Sequence, residues 1–369
     1  MNTIRKTIGL ALIGALAIAA AQAQTISLPK RPILLSLNEN AYGPAPAVRQ
    51  AITAQFENLS RYTRNEGDVL IADIAKKEGV SADQVITGEI LELLGVYLGI
   101  EAGPGSEFIY SVPGYPALVN AAARVGGKIV EIPLDAQLEN DLPALEAAIT
   151  PKTKAVYLVN PHNPSGTVSD KEGFKAFLHR ISSKALVIVD EAYLEFTDDF
   201  EGRSAINNTR AGDNVIVFRT FAKAYGLAGL SIGYAIAPTP VAKLLKKQGL
   251  GSPHDLNRLA VVAADAALKD TVYLKNTAEQ IILERKKWDQ VLDGLGLKHT
   301  TSQSNFIYFD AKIPSEEVIS KLKEQGIVVG KVFEPYHTWV RITVGLPTEN
   351  ERVQKALRDL NDHKFFSRP

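Results

Sequence analysis

The chain has 369 residues, with 41 basic and 41 acidic side chains, 46% apolar and 22% charged residues, no cysteine and a single methionine, Met1. That composition is globular rather than disordered, and zero formal charge leaves no electrostatic bias toward nucleic acid or an anionic membrane. Without cysteine there is no disulfide, thiolate metal site or cysteine nucleophile, and six histidines with no close His-x-x-His pair make a zinc site a poor expectation.

The chain opens with Arg5 and Lys6, an apolar run from Ile8 to Ala21, and the small-x-small sequence Ala21-Gln22-Ala23. These are the three regions of a secretory signal peptide. The run of fourteen residues falls short of the roughly 20 that span a bilayer, so cleavage after Ala23 is expected rather than an uncleaved anchor. No cysteine follows the cleavage site and no twin arginine precedes it, which points to unfolded export without a lipid anchor. Residues 1–23 are thus expected to be removed, and the mature chain to reach the periplasm or the medium. It would carry two fewer basic groups, a net charge near −2 and no sulfur atom.

Residues 24–46, rich in Pro and Asn, read as an extended arm. From about Val85, short β-branched runs alternate with helical stretches, the pattern of an α/β domain with a mainly parallel sheet. Strands are expected at Glu107–Ser111, Lys128–Ile132, Ala155–Val159, Ala185–Val189, Asn214–Arg219 and Ser231–Ala237, with helices such as Tyr115–Arg124 and Lys171–Ile181 between them. Runs such as Ala-Leu-Val-Ile-Val are apolar throughout, as a sheet covered on both faces requires. After Gly249 the spacing predicts a long helical region from Leu256 to Leu292. A strand (Asn305–Phe309), a helix (Ser315–Gln325), two more strands (Ile327–Val329, Trp339–Val344) and a terminal helix follow. This predicts a large domain over 47–249 and a smaller α+β domain over 250–369, without internal repeats.

Ligands of open α/β sheets bind beyond the carboxyl ends of the strands, and the polar punctuation falls there. Tyr157-Leu158-Val159 runs into Asn160-Pro161-His162-Asn163-Pro164-Ser165-Gly166. Val187-Ile188-Val189 runs into Asp190-Glu191-Ala192-Tyr193, and Val217-Phe218 into Arg219-Thr220-Phe221-Ala222-Lys223. Singly, these are turn residues, a helix N-cap and a solvated lysine. An amide, an acid and an amine at three consecutive strand ends suit a carbonyl cofactor with a pyridine ring. A lysine amine can form a Schiff base with its aldehyde, and a carboxylate beside the ring nitrogen keeps it protonated, so that the ring accepts an electron pair.

The chain resembles the fold-type-I pyridoxal-phosphate (PLP) aminotransferases, most closely the histidinol-phosphate aminotransferase-like group. The resemblance runs from about Leu35 to Leu360. It rests on Leu37-Asn38-Glu39-Asn40-Ala41-Tyr42-Gly43-Pro44, Arg61-Tyr62, Pro113-Gly114-Tyr115, Asn160 to Gly166, Asp190 to Tyr193, Arg219 to Leu230, Ser304-Asn305-Phe306 and Arg341 to Gly345, all in order. It implies a large domain with a mainly parallel seven-stranded sheet, and a homodimer with shared active sites acting on an amino acid and a 2-oxo acid. It implies that Lys223 forms the Schiff base, Asp190 pairs with the pyridine nitrogen, Asn163 and Tyr193 hold the phenolic oxygen and Tyr115 stacks on the ring. Arg341 would grip the substrate's α-carboxylate, with Tyr42 in the substrate pocket, and Tyr62 would reach the cofactor phosphate of the other subunit.

Departures from the family pattern cluster around phosphate. Ala222 stands where a serine is usual and Ser231 where an arginine is usual. The amide turn that cradles the cofactor phosphate reads Gly88-Glu89-Ile90-Leu91, which leaves Thr220, Tyr62, Ser231 and free amides as phosphate partners. Gly330, followed by Lys331, replaces an arginine that the resemblance implies would meet a substrate phosphate, so a substrate other than histidinol phosphate is expected. Two further readings stay open on the residues alone: a PLP racemase, decarboxylase or lyase, and a non-catalytic amino-acid-binding protein on the same scaffold. His162, Tyr336, His337 and Trp339 are further candidates for the substrate pocket.

Overall fold

A computed structural model describes residues 32–252 and 256–367. The signal segment 1–23 and the arm as far as residue 31 lie outside the described residues. The remainder of the arm contains a short strand, β1 (Ile33–Leu35), and runs without further regular structure to the helix Pro46–Thr53. Everything described below from Leu34 onward belongs to one compact unit.

Seven strands form the main sheet: β2 (Val85–Gly88), β3 (Glu107–Val112), β4 (Lys128–Pro133), β5 (Thr153–Val159), β6 (Leu186–Asp190), β7 (Val215–Thr220) and β8 (Gly233–Ile236). Their spatial order is β2-β8-β7-β6-β5-β3-β4. Pairing is parallel from β4 through β7, while β8 runs antiparallel to both β7 and β2. The sheet is therefore mostly parallel, as expected, with an antiparallel edge that the apolar runs did not announce.

Both faces are covered, which explains the unbroken apolar strands. Tyr157, Ile188, Ile216 and Phe218 pack on one face with the helix Ile90–Ala102. Val156, Val187 and Val217 pack on the other with Phe174, Phe177, Leu178 and Ile181 of the helix Lys171–Ser182. Full burial of each such side chain contributes about 1.5–3 kcal/mol. Asp170 starts the second helix by accepting from the Gly173 amide at 2.8 Å. The first helix lies directly against the helix Ala117–Ala123: a Cβ at Gly95 would stand 2.2 Å from the Leu118 carbonyl oxygen. Only glycine permits that approach.

The expected helical region after residue 256 is two helices, Arg258–Lys269 and Thr271–Gly294, broken at Asp270, whose side chain caps the second by accepting from the Tyr273 amide. Beyond them, β9 (Phe306–Asp310) pairs antiparallel with β11 (Trp339–Thr343), placing Arg341 opposite Tyr308. The helix Ser315–Glu324, the strand β10 (Ile327–Val329) and the terminal helix Pro347–Asp362 complete the elements expected there. Among the described residues, no helix is long and apolar enough to cross a membrane.

Candidate active site

A cavity of about 930 Å³ opens beyond the carboxyl ends of β5, β6 and β7 and is lined by Asn163, Asp190, Tyr193 and Lys223. The strands bring these residues together because each apolar run stops at the same rim. Gly88, Glu89, Tyr115, Thr220, Ser231 and Arg341 line the same cavity. Ten of the twelve expected site residues therefore converge.

Asp190 ends β6 and is 2% exposed. Its Oδ2 accepts from the Tyr157 hydroxyl at 2.8 Å and its Oδ1 from the Ala192 amide at 3.0 Å. Burial pushes its pKa up to about 6 against the lowering effect of these two donors and of Lys223. Among the described residues no cation forms an ion pair with it, so a buried carboxylate faces the cavity with Lys223 acting on it only at a distance.

Lys223 follows β7 and donates from Nζ to the Leu37 carbonyl at 2.9 Å. Burial, seconded by the positive charge of Arg341, lowers its pKa to about 8, while Glu39 and Asp190 oppose the shift. A substantial fraction of the amine is then neutral near pH 8, as a nucleophile or proton carrier requires.

Tyr193 and Asn163 form one polar cluster. The Tyr193 hydroxyl accepts from Asn38 Nδ2 at 3.1 Å and from Asn163 Nδ2 at 3.4 Å. Its ring packs edge-on against Phe306, and burial raises its pKa to about 12. Asn163 Oδ1 accepts from Arg341 Nη1 at 2.5 Å, and Arg341 Nη2 donates to the Ser36 carbonyl at 2.7 Å. The guanidinium lies over the rings of Phe306 and Phe333, 5.4 and 4.9 Å from their centroids. Burial lowers its pKa. Its Nε has no hydrogen-bond partner, and among the described residues no carboxylate pairs with it. A buried cation so placed lacks an anion.

At the other end of the cavity Glu89 precedes the helix Ile90–Ala102, whose side-chain cap is absent, and Gly88 has φ +134°. Open amides at a helix N-terminus favour an anion, whereas the carboxylates of Glu89 and of Glu92 in the first turn oppose one. Thr220 and Ser231 contribute hydroxyls to the lining, Ser231 from a left-handed backbone conformation. Tyr115, 46% exposed, lies in the field of Asp190, Glu92 and Glu89, and burial raises its pKa.

Tyr42 and Tyr62 are not among the lining residues. The buried Tyr42 hydroxyl has no partner and feels Glu284 and Lys287 of the helix Thr271–Gly294, and Tyr62 is 81% exposed. The four other pocket candidates are also elsewhere. His162 is enclosed in its loop, with Nδ1 3.0 Å from Ser165 Oγ. His337 pairs with Glu334, and Tyr336 and Trp339 pack with Tyr308 and Phe333. Nearness to a motif along the chain did not carry the direction of these side chains. Three residues without an expected role do contribute: Asn38, whose buried side chain holds Tyr193; Leu37, whose carbonyl holds Lys223; and Tyr157, which holds Asp190. Asn38 lay inside a quoted motif, and its positive φ of 56° is the kind of strain Asn tolerates best outside glycine.

A mostly parallel sheet delivers an acid and an amine to one cavity, and comparison with known proteins identifies the class. The chain belongs to the family Aminotransferase class I and II, whose model matches residues 30–359. It is 34% identical over 339 residues to a histidinol-phosphate aminotransferase of Moorella thermoacetica, covering 90% of this chain and 86% of that one. It is 36% identical over 335 residues to histidinol-phosphate aminotransferase 2 of Ralstonia nicotianae, covering 89% and 88%. Among solved structures, histidinol-phosphate aminotransferase from Sinorhizobium meliloti in complex with pyridoxal-5'-phosphate superposes with a TM-score of 0.81 at 29% identity, covering 89% and 92%. The protein is thus an enzyme that transfers amino groups, and these relatives give no support to the non-transaminating or non-catalytic alternatives.

Proposed function

We propose that this PLP-dependent aminotransferase exchanges amino groups between 2-oxo acids and amino acids that lack a phosphate group, and that it works as an exported homodimer. The observation that carries the reading is the convergence of Lys223, Asp190 and Arg341 on one cavity, each with its charge incompletely matched.

The residues fit PLP at the ring end. Asp190 lacks the cation that a protonated ring nitrogen would supply, and Lys223 offers a partly neutral amine. The phosphate end fits less closely, with open amides, Thr220, Ser231 and Gly88 set against Glu89. When bound, PLP supplies an aldehyde that condenses with amines and a ring that accepts an electron pair.

The chain's own residues then divide the work. Asp190 would hold the proton at the ring nitrogen of PLP. Asn163 and Tyr193 would hold its phenolic oxygen, and Tyr115 would meet its ring. Arg341 takes the substrate's α-carboxylate in a fork that lysine cannot reproduce, which fixes the α-carbon. Lys223 takes and returns the proton there. Leu37, Val329 and Phe333 add apolar side chains to the lining. Lys223 and Arg341 being engaged, Lys331 is the remaining lining cation, a single exposed lysine where a substrate phosphate would need stronger pairing.

A dimer is supported by exposed apolar side chains at Phe56 and Leu59 beside Tyr62, a segment suited to meet a second copy. Export is supported by Arg5, Lys6, the apolar run and Ala21-Gln22-Ala23. The test is to mix mature protein with PLP, record the visible band of the lysine-bound cofactor, and follow its loss with a panel of amino acids and the oxo acids formed. Absence of the band, or its survival in Lys223→Ala, rejects the reading. Preferential turnover of histidinol phosphate rejects the substrate part. Light scattering and the N-terminal mass of the exported product decide the dimer and the cleavage site.

A further inference from the structure

Asp190 is held from behind by a residue of the neighbouring strand. The parallel register places Val159 of β5 opposite Asp190 of β6. Tyr157 therefore stands two residues back along β5, on the same face of the sheet, at the diagonal position that only a long side chain spans. It does so with its ring packed among the core residues of that face and its hydroxyl 2.8 Å from Asp190 Oδ2. Tyr157 is 1% exposed and does not line the cavity, whereas Asp190 does.

The carboxylate is thereby divided. Oδ1 is occupied by the Ala192 amide and Oδ2 by the Tyr157 hydroxyl, so the position of both oxygens is fixed before any ligand arrives. Among the described residues no other side chain donates to Asp190. Burial and the adjacent carboxylate keep the phenol pKa well above its ordinary value, so Tyr157 remains a donor throughout the working range. An apolar side chain there would leave Oδ2 buried without a donor, and a buried acceptor to an ionised group is costly to strip.

We propose that Tyr157 is a positioning residue for the cofactor ring: its hydroxyl fixes and sustains the ionised Asp190 carboxylate that receives the protonated ring nitrogen. The proposal rests on the PLP reading above. It gives a strand-interior tyrosine a role at the site, acting through Asp190 rather than by contact with substrate or cofactor.

The experiment compares equilibrium binding of two probes to cofactor-free protein by quenching of tryptophan fluorescence. One probe is PLP and the other is its analogue with carbon in place of the ring nitrogen, which has no proton for Asp190 to accept or hold. Tyr157→Phe removes one oxygen atom and keeps the ring, and a cooperative melt confirms the fold. The expected result is a loss of about tenfold in PLP affinity with the affinity for the carbon analogue unchanged. In an Asp190→Asn background, adding Tyr157→Phe should leave PLP affinity where Asp190→Asn alone puts it, because the two side chains act as one unit. Equal loss for both probes identifies a general packing effect and overturns the proposal, as does no loss for PLP. Wild-type protein that binds neither probe overturns the PLP reading itself, an outcome distinct from either.

Discussion

Arg341 Nη1 donates to Asn163 Oδ1 at 2.5 Å, so the residue that would orient the substrate is bonded directly to one that would hold the cofactor. The same guanidinium reaches the Ser36 carbonyl, and with two acceptors fixed its plane is set before a carboxylate enters. Substrate orientation and cofactor orientation are therefore mechanically joined through one amide, since Asn163 also bonds Tyr193.

Arg341→Lys should separate these roles. An ammonium keeps the charge but cannot hold Asn163, Ser36 and a carboxylate in one plane. Loss of a charge-assisted hydrogen bond costs about 1.5–3 kcal/mol, or roughly 10- to 100-fold. We expect kcat/KM to fall by about that factor, mostly through KM, with the visible PLP spectrum retained. Steady-state kinetics beside an absorbance scan checks it. An unchanged KM would remove Arg341 from substrate binding.

Asp190 gives a prediction in the opposite sense for stability. Its folded pKa, raised from 3.8 to about 6, means that the folded state binds its proton more readily than the unfolded one. The ionised carboxylate therefore opposes folding of the cofactor-free protein above pH 6, by about 3 kcal/mol as an upper order of magnitude. The penalty fades as pH falls from 6 to 4 and is fully gone only below the unfolded value of 3.8, where both states are protonated. Asp190→Asn can still accept from Ala192 and donate to Tyr157. It should raise the melting temperature of cofactor-free protein at pH 7.5, lose that advantage near pH 4, and abolish transamination. A melt series over pH decides it, and equal melting temperatures at pH 7.5 count against an ionised, burdened Asp190.

The legibility of this site in the sequence has a physical limit. Asn163, Asp190 and Lys223 could be read because each ends or closely follows an apolar strand, and strand ends of a parallel sheet gather on one rim whatever the strand order. The Tyr157–Asp190 bond could not be read, because it depends on the register between β5 and β6, and Tyr157 looks like any aromatic in a buried strand. Tyr42 and the histidines lie outside the cavity lining, since sequence proximity fixes where a backbone passes, not where a side chain turns. The antiparallel β8 was expected as a strand but not in its direction, since an apolar run is the same read either way. Asn38 and Leu37 act from an arm whose path is set by distant contacts, such as Asn305 Nδ2 donating to the Asn38 carbonyl.

Glu89 is the feature that most opposes the cofactor. Exposed at the start of the helix Ile90–Ala102, it sets a negative charge beside amides that would otherwise receive a dianion. Unit charges 4 Å apart in water interact by about 1 kcal/mol, roughly fivefold in affinity. Glu89→Gln should therefore tighten PLP binding about fivefold at low ionic strength, and by less at 1 M salt, where screening is short-ranged. Titration of cofactor-free protein at two salt concentrations tests it. Weaker binding of PLP to the variant would show that Glu89 supports the site instead.

Lys223 sets the pH dependence of cofactor capture. Only the neutral amine can attack the aldehyde, and its pKa, lowered to about 8 by burial and by Arg341, places the change within the accessible range. The rate at which the visible band appears after mixing cofactor-free protein with PLP should rise about tenfold per pH unit below 8 and level off above it. Arg341→Met removes the nearby positive charge that helps to depress this pKa. The midpoint should then move upward, so that at pH 7 the variant captures PLP more slowly than wild type although Arg341 does not touch the aldehyde. Stopped-flow absorbance from pH 6 to 10 measures both curves. A midpoint near the ordinary lysine value in the wild type would mean that burial does not prepare Lys223, and coincident midpoints for the two proteins would sever the electrostatic link between substrate and cofactor residues.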